Sequence, residues 1–193
     1  MVCALCGFLA GSIPFSWLMG RARGVDLRST GSGNAGATNL FRTCGWKAGT
    51  AGFALDSLKG ALPVLAAGAV YPGPFGRAVA GLAAVLGHVF TPWLGWRGGK
   101  GVATGLGAMI VIAPLPVLSS LVVFVAVLAA WRFVSLASIS AALALVPACL
   151  LLPCGHVERA VCVVVAALLI ARHASNIGRL SKGTERRLGG GTA

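Results

Sequence analysis

Four stretches of the chain, residues 2–20, 78–96, 102–130 and 133–155, contain no Asp, Glu, Lys or Arg. A helix that crosses a bilayer needs about 20 predominantly apolar residues in a row. With no water in the hydrocarbon, each crossing segment must satisfy its own backbone, and these Ala/Leu/Val-rich runs lack the strict alternation of a barrel strand. The pattern predicts helical spans over residues 2–20, 48–70, 77–95, 101–113, 115–131, 133–152 and 157–171. The stretch 102–130 decides the count. At 1.5 Å per residue it would be roughly 44 Å of helix, too long for one ordinary span and short for two. Pro114 and Pro116 lie at its middle, where proline breaks or turns a helix, so it is read as two.

Charge supports that division. With seven spans, fourteen of the sixteen basic residues fall on one side, from Arg21 and Arg23 through Arg42, Lys47, Lys59, Arg97, Lys100 and Arg132 to Arg187. Only Arg77 and Arg159 fall on the other. Merging the two short spans would send the five basic residues of the tail outside, against the positive-inside tendency. The expected fold is therefore an all-α integral membrane protein of seven transmembrane helices, amino terminus outside and carboxyl terminus cytoplasmic. Residues 1–193 make a single polytopic domain, with no internal repeat and no linker long enough to divide it. The first span is not read as a signal peptide, because its basic residues follow the apolar run instead of preceding it.

Composition agrees: 57% of residues are hydrophobic and 10% charged, and mean hydropathy is +0.88, outside the usual range of a soluble domain. The net charge of +12 becomes mostly a cytoplasmic face suited to anionic headgroups and anionic substrates. No nucleic-acid module is visible. Six cysteines are present, and Cys3 and Cys6 have CxxC spacing. Without an accompanying Cys/His cluster they read as small apolar residues of membrane helices. Acidic ligands are too few for a carboxylate-bound metal cage, so neither a metal nor a cofactor is expected.

The polar residues gather in three segments that this topology places on the cytoplasmic side. In "GSGNAGATN" (31–39), Gly31 and Gly33 accompany the hydrogen-bonding groups of Ser32, Asn34, Thr38 and Asn39, and Arg42 follows with a bidentate fork for phosphate. "GGKGVAT" (98–104) opens a predicted helix. Gly98, Gly99 and Gly101 let the backbone approach an anion, Lys100 supplies a point charge, and Thr104 lies in the first turn. It is not a Walker A loop, since GxxxxGK[ST] is absent and no strand precedes it. The plain alternatives are a flexible loop for the first segment and a glycine turn with a snorkelling lysine for the second. Two anion loops on one side favour phosphate binding.

In the third segment, Asn176 follows His173 three residues later on the same helical face, with Arg172 adjacent; a capped helix end is the alternative. Asp56 and Lys59, one turn apart near the inner end of the second span, read as a structural ion pair. His88 reads as a packed, hydrogen-bonded residue. Glu185 is read as neutralising nearby basic groups, a structural role. His156 and Glu158 fall in an outer loop and are set aside.

These segments resemble the acyl-phosphate:glycerol-3-phosphate acyltransferases of bacterial membranes, the PlsY family. The resemblance runs from "GSIPF" (11–15) to "GTE" (183–185). It rests on "GSGNAGATN" with Arg42, "DSLKG" (56–60), "GGKGVAT", and "RHASNIGRL" (172–180) with "GTE", in that order. It implies a seven-span enzyme of the plasma (inner) membrane with its active site facing the cytoplasm. That enzyme transfers a fatty acyl group from acyl phosphate to the 1-hydroxyl of sn-glycerol 3-phosphate, giving lysophosphatidic acid and inorganic phosphate. By position, Ser32, Arg42, Lys100, His173 and Asn176 would surround the phosphate-bearing substrates, with Gly98, Gly99 and Gly101 shaping the phosphate loop. The departures are Arg97 where lysine is expected and Ser16 where glycine is common.

An acyl phosphate is already activated, so the protein must mainly orient the hydroxyl and stabilise the developing oxyanion and leaving phosphate. Ser32 as an acyl-accepting nucleophile is the alternative, and it needs a base beside it, for which His173 is the candidate. The rival class is a transporter of a phosphorylated solute, which would share the anion loops; the short, featureless outer loops count against it. The bilayer and the two substrates are the expected partners. A soluble acyl-phosphate-producing enzyme is a candidate to dock on the basic face.

Overall fold

In the computed structural model, residues 1–190 are described and their regular structure is helical. The helices are α1 (Val2–Ser12), α2 (Phe15–Arg21), α3 (Ala37–Val70), α4 (Pro74–Val89), α5 (Val102–Ile112), α6 (Pro114–Trp131), α7 (Val134–Leu151), α8 (His156–Arg172) and α9 (Ala174–Ser181), with one 3-10 turn at Pro92–Leu94. They pack as two compact units, residues 1–112 and the chain from residue 113 on.

In the first unit α1 lies on α4, and α3 packs on α5 and α4. Lipid tails give apolar helices no reason to associate, so close backbone approach between small residues must supply the attraction. A Cβ on Gly7 or Gly11 of α1 would run into the carbonyls of Ala80 and Ala84 on α4. Gly60 of α3 and Gly107 of α5 meet the carbonyls of Thr104 and Ser57 in the same way.

The predicted first span is broken. Ile13 is extended, with φ −64° and ψ 117°, and Pro14 follows before α2. Such a break frees carbonyls that lipid cannot satisfy. The hydroxyl of Thr91 donates to the Ser12 carbonyl at 2.6 Å, and the Lys59 ammonium donates to that of Ile13.

Two boundaries differ from the sequence expectation. Helix α3 begins at Ala37 and holds 34 residues, with a sharp break at Gly45 (φ 84°, ψ 172°). Thr38, Asn39 and Arg42 therefore stand on a helix, where a loop running to residue 47 was expected. Glycine at 45 is what permits the turn, since a left-handed φ is costly for other residues. Helix α5 has 11 residues, about 16 Å of rise against a hydrocarbon core of about 30 Å. Among the described residues, five helical segments are long and apolar enough to cross a membrane, or six if α8 and α9, bent by 54°, count as one.

In the second unit α6 pairs with α7 and α7 with α8. Arg132 takes a left-handed conformation between α6 and α7, and its carbonyl accepts a hydrogen bond from Leu188 at 2.7 Å. Arg187 stacks over Phe133 at 5.1 Å. Together these contacts fasten the carboxyl-terminal segment to the start of α7.

Candidate active site

The loop between α2 and α3 is organised from below by two residues. Asp26 accepts from the Arg28 backbone at 3.0 Å and from the Trp17 indole at 3.0 Å. Arg28 and Arg21 lie 3.4 and 3.7 Å from its carboxylate. The hydrogen bonds from the backbone and side chain of Arg28, then that from Trp17, bring its pKa down to about 2. Asn39 is the second organiser. Its carbonyl oxygen accepts from the Ser32 amide at 2.9 Å, and its amide donates to the carbonyls of Leu27 and Thr30 at 2.9 Å and Asn34 at 3.0 Å.

Buried among Leu27, Leu40 and Ala48, Asn39 spends its side chain holding the loop shut, where the sequence suggested a ligand donor. Asn34 likewise accepts from the Gly36 amide at 3.0 Å, an Asx turn leading into the helix. Gly31 and Gly33 have φ of 66° and 72°. Around this frame Ser32 is exposed, and Thr38 and Arg42 are half-buried on the first turns of α3. Thr38 and Arg42, four residues apart, share one face of that helix.

The second loop is built by a reversal at the end of α4. Gly95 and Trp96 are both left-handed, with φ of 62° and 64°, and the Gly98 amide returns to the Val89 carbonyl at 3.0 Å. Gly101, at φ 87°, turns the chain into α5. Gly98, Gly99 and Gly101 are buried and Lys100 is half-buried.

Beneath this loop is a polar cluster inside the helices. Asp56 pairs with Lys59 at 2.8 Å, both side chains almost wholly buried, as the spacing predicted, and its other oxygen accepts from Ser16. His88 Nδ1 is 3.1 Å from the Thr104 hydroxyl and 4.0 Å from Asp56. Thr104 is fully buried, with its hydroxyl given to His88 in place of the expected ligand contact. Ser16 is the partner that sequence reasoning missed. A carboxylate with two oxygens in a membrane helix needs more than one lysine, and that need was the available signal.

In the second unit His173 is the residue at the bend between α8 and α9. Its carbonyl accepts from the Asn176 amide at 2.8 Å. Its Nδ1 lies 2.7 Å from the Leu169 carbonyl. A carbonyl only accepts, so Nδ1 carries the proton and the lone pair of the neutral ring is on Nε2. Asn176 donates its side-chain amide to Glu185 at 2.8 Å, and Ser135 and Arg179 donate to the same carboxylate at 2.9 and 2.7 Å. Burial pushes Glu185 up, but the bonds from Asn176, Arg179 and Ser135 and the Arg179 charge outweigh it and hold the carboxyl below its usual value. Glu185 thus ties α7 to α9 and holds the Asn176 side chain.

Residues 1–183 match the glycerol-3-phosphate acyltransferase family. The chain belongs to that family. It is 47% identical to a glycerol-3-phosphate acyltransferase of Geotalea daltonii over 96% of this chain and 95% of that protein. A relative of the same description from Geobacter metallireducens is 51% identical, with 93% of each covered. Among solved structures, the fold is similar to the glycerol 3-phosphate form of PlsY (YgiH), an integral membrane glycerol 3-phosphate acyltransferase. The TM-score is 0.93 and identity 39%, covering 97% of this chain and 94% of that one. The lysophosphatidic acid form of the same protein gives a TM-score of 0.90 at 38% identity, with the same coverage.

Proposed function

We propose that the chain is a single acyltransferase domain that moves a fatty acyl group from acyl phosphate to the 1-hydroxyl of sn-glycerol 3-phosphate. The products are lysophosphatidic acid and inorganic phosphate, in the first acylation step of phospholipid synthesis. The observation that carries this reading is the likeness, over nearly the whole chain, to a protein solved with glycerol 3-phosphate and with lysophosphatidic acid.

In this reading the hydroxyl oxygen attacks the acyl carbonyl, the bond from the carbonyl to the phosphate oxygen breaks, and the phosphate leaves. Lys100 and Arg42 offset phosphate charge, while Ser32 and loop amides of the same unit position the reacting groups. The hydroxyl proton passes to a substrate phosphate. Ser32 is exposed and its own amide is pinned by Asn39; no acyl-serine intermediate is needed, because the donor arrives activated.

Seven crossings with the amino terminus outside remain our topology, supported by the fourteen basic residues gathered on one side. Helix α5 is short, and the buried Gly98, Gly99 and Gly101 lead the chain into it, so that crossing includes non-helical backbone. Non-helical backbone is tolerated at that depth when it is buried in protein. The loops then face the cytoplasm of a bacterial plasma membrane, on the basic surface where a soluble acyl-phosphate-producing enzyme would dock.

Purified protein in lipid should release phosphate from acyl phosphate only when glycerol 3-phosphate is present, forming lysophosphatidic acid in equal amount. Lys100→Ala should lower kcat/KM by at least about tenfold, or 1.4 kcal/mol. Solute uptake into vesicles without acyl transfer would replace the enzyme with a transporter.

A further inference from the structure

The two glycines before Lys100 have an internal reason to be glycine, and it is the same residue in both cases. A Cβ on Gly98 would run into the His88 carbonyl. A Cβ on Gly99 would overlap the His88 ring at Nε2 and stand 3.0 Å from Cε1 and 3.2 Å from Cδ2. The ring is not free to yield. It is 7% exposed, in the last turn of α4, with Nδ1 against Thr104 on α5 at 3.1 Å. The Asp56 carboxylate stands 4.0 Å from the same nitrogen, itself fixed by Lys59 and Ser16. The next residue, Val89, receives the Gly98 amide. Helices α3, α4 and α5 therefore converge on one imidazole whose outer edge is the floor of the loop.

We infer that His88 is a positioning residue for glycerol 3-phosphate: its ring, braced by Thr104, sets the height of Gly98 and Gly99 and so aims Lys100 and the loop amides at the phosphate. This rests on the reading of that loop as the phosphate site. Such aiming matters because a shift of about 1 Å in a positioned group can cost on the order of a hundredfold in rate. The role is one of contact and shape, so it should appear as an interaction between residues 88 and 99 and not only as a loss at either.

The test is a four-member cycle of wild type, Gly99→Ala, His88→Asn and the double variant, assayed in lipid. Gly99 lies outside the left-handed region, so alanine suits its backbone, and the three atoms nearest the added methyl all belong to the ring. Asparagine at 88 keeps a polar atom near the Nδ1 position for Thr104 but lacks the Nε2 edge. Gly99→Ala should raise the KM for glycerol 3-phosphate about tenfold or more, with kcat nearly unchanged. His88→Asn should raise it less, and the double variant should fall back to within about threefold of His88→Asn alone.

Effects that simply multiply would overturn the proposal, as would a His88→Asn protein with reduced folded yield but an unaltered KM. Wild-type KM in Gly99→Ala would remove the loop from phosphate binding and this proposal with it. The rise in melting temperature on adding glycerol 3-phosphate is the second readout: lost in Gly99→Ala, regained in the double. If Gly99→Ala does not accumulate as folded protein, recovery in the double supports the contact and no recovery overturns it.

Discussion

Lys59→Met tests whether the ion pair inside the first unit is as closed as it looks. The Lys59 ammonium is 2.8 Å from Asp56 and also donates to the Ile13 carbonyl at the break between α1 and α2. The side chains of Lys59 and Asp56 are 3% and 2% exposed. An exposed pair would contribute about 0–1 kcal/mol. Removing one partner of a buried pair costs about 3–5 kcal/mol, because the remaining charge is left uncompensated. Here the remaining carboxylate keeps only the Ser16 hydroxyl and a histidine 4.0 Å away. For a chain of this length, about 2–4 °C of melting temperature corresponds to each kcal/mol. The single variant should therefore melt roughly 6–20 °C below wild type in lipid nanodiscs. Asp56→Asn combined with Lys59→Met leaves no net charge behind and still offers Ser16 a carbonyl, so it should recover more than half of the loss. Tryptophan fluorescence during heating reads all three proteins. A Lys59→Met protein melting within about 2 °C of wild type, or a double variant showing the sum of two single losses, would refute the argument that the pair is desolvated and mutually dependent.

Asp26 supplies a pH test. Its folded pKa of about 2 lies below the unfolded value near 3.9, so its contribution to loop order is present above about pH 4 and is lost as pH falls through about 2. The indole NH signal of Trp17, which donates to Asp26, should titrate with a midpoint near 2 and stop doing so in Asp26→Asn; a midpoint near 3.9 would detach Asp26 from its partners. A phosphate base and a histidine base both give activity that rises through about pH 6 to 6.5, so the wild-type profile does not choose between them. His173→Ala should lower the rate yet keep that acidic limb, and loss of the limb with a fall on the order of 10² to 10⁴ in kcat would make His173 the base.

Much of this molecule can be read from spacing alone, because the membrane leaves so few options. The apolar runs locate the long helices. Asp56 and Lys59 are recognisable as a pair because ionisable residues one turn apart inside a span have little else to do. The breaks are harder. Gly45 is one of 28 glycines, and nothing local marks it as the one whose left-handed φ divides α3. Asn39 and Thr104 show a different limit. Composition identifies them as polar residues in anion loops, but whether a side-chain amide faces a ligand or its own loop depends on where four backbone groups converge. Ser16 was visible only as an unusual residue in its position, and its meaning comes from a carboxylate forty residues away.

Most acids of the chain are committed to its architecture. The sequence holds four Asp and Glu residues against sixteen Lys and Arg, and three of the four are already engaged within their own unit. Asp26 takes Arg28, Arg21 and Trp17; Asp56 takes Lys59 and Ser16; Glu185 takes Arg179, Asn176 and Ser135. Each sits under or beside a segment it organises, and at Asp26 and Glu185 those donors hold the carboxyl below its usual value, so that a proton there would cost two or three charge-assisted bonds at once. On the proposed reaction, a general base drawn from these carboxylates would have to give up the contacts that hold its own segment. The first unit also holds Arg42 and Lys100, both half-buried, and the second a histidine whose Nδ1 is anchored to a backbone carbonyl. On the reaction proposed above, the mobile proton is then carried by the phosphate groups that the substrates bring.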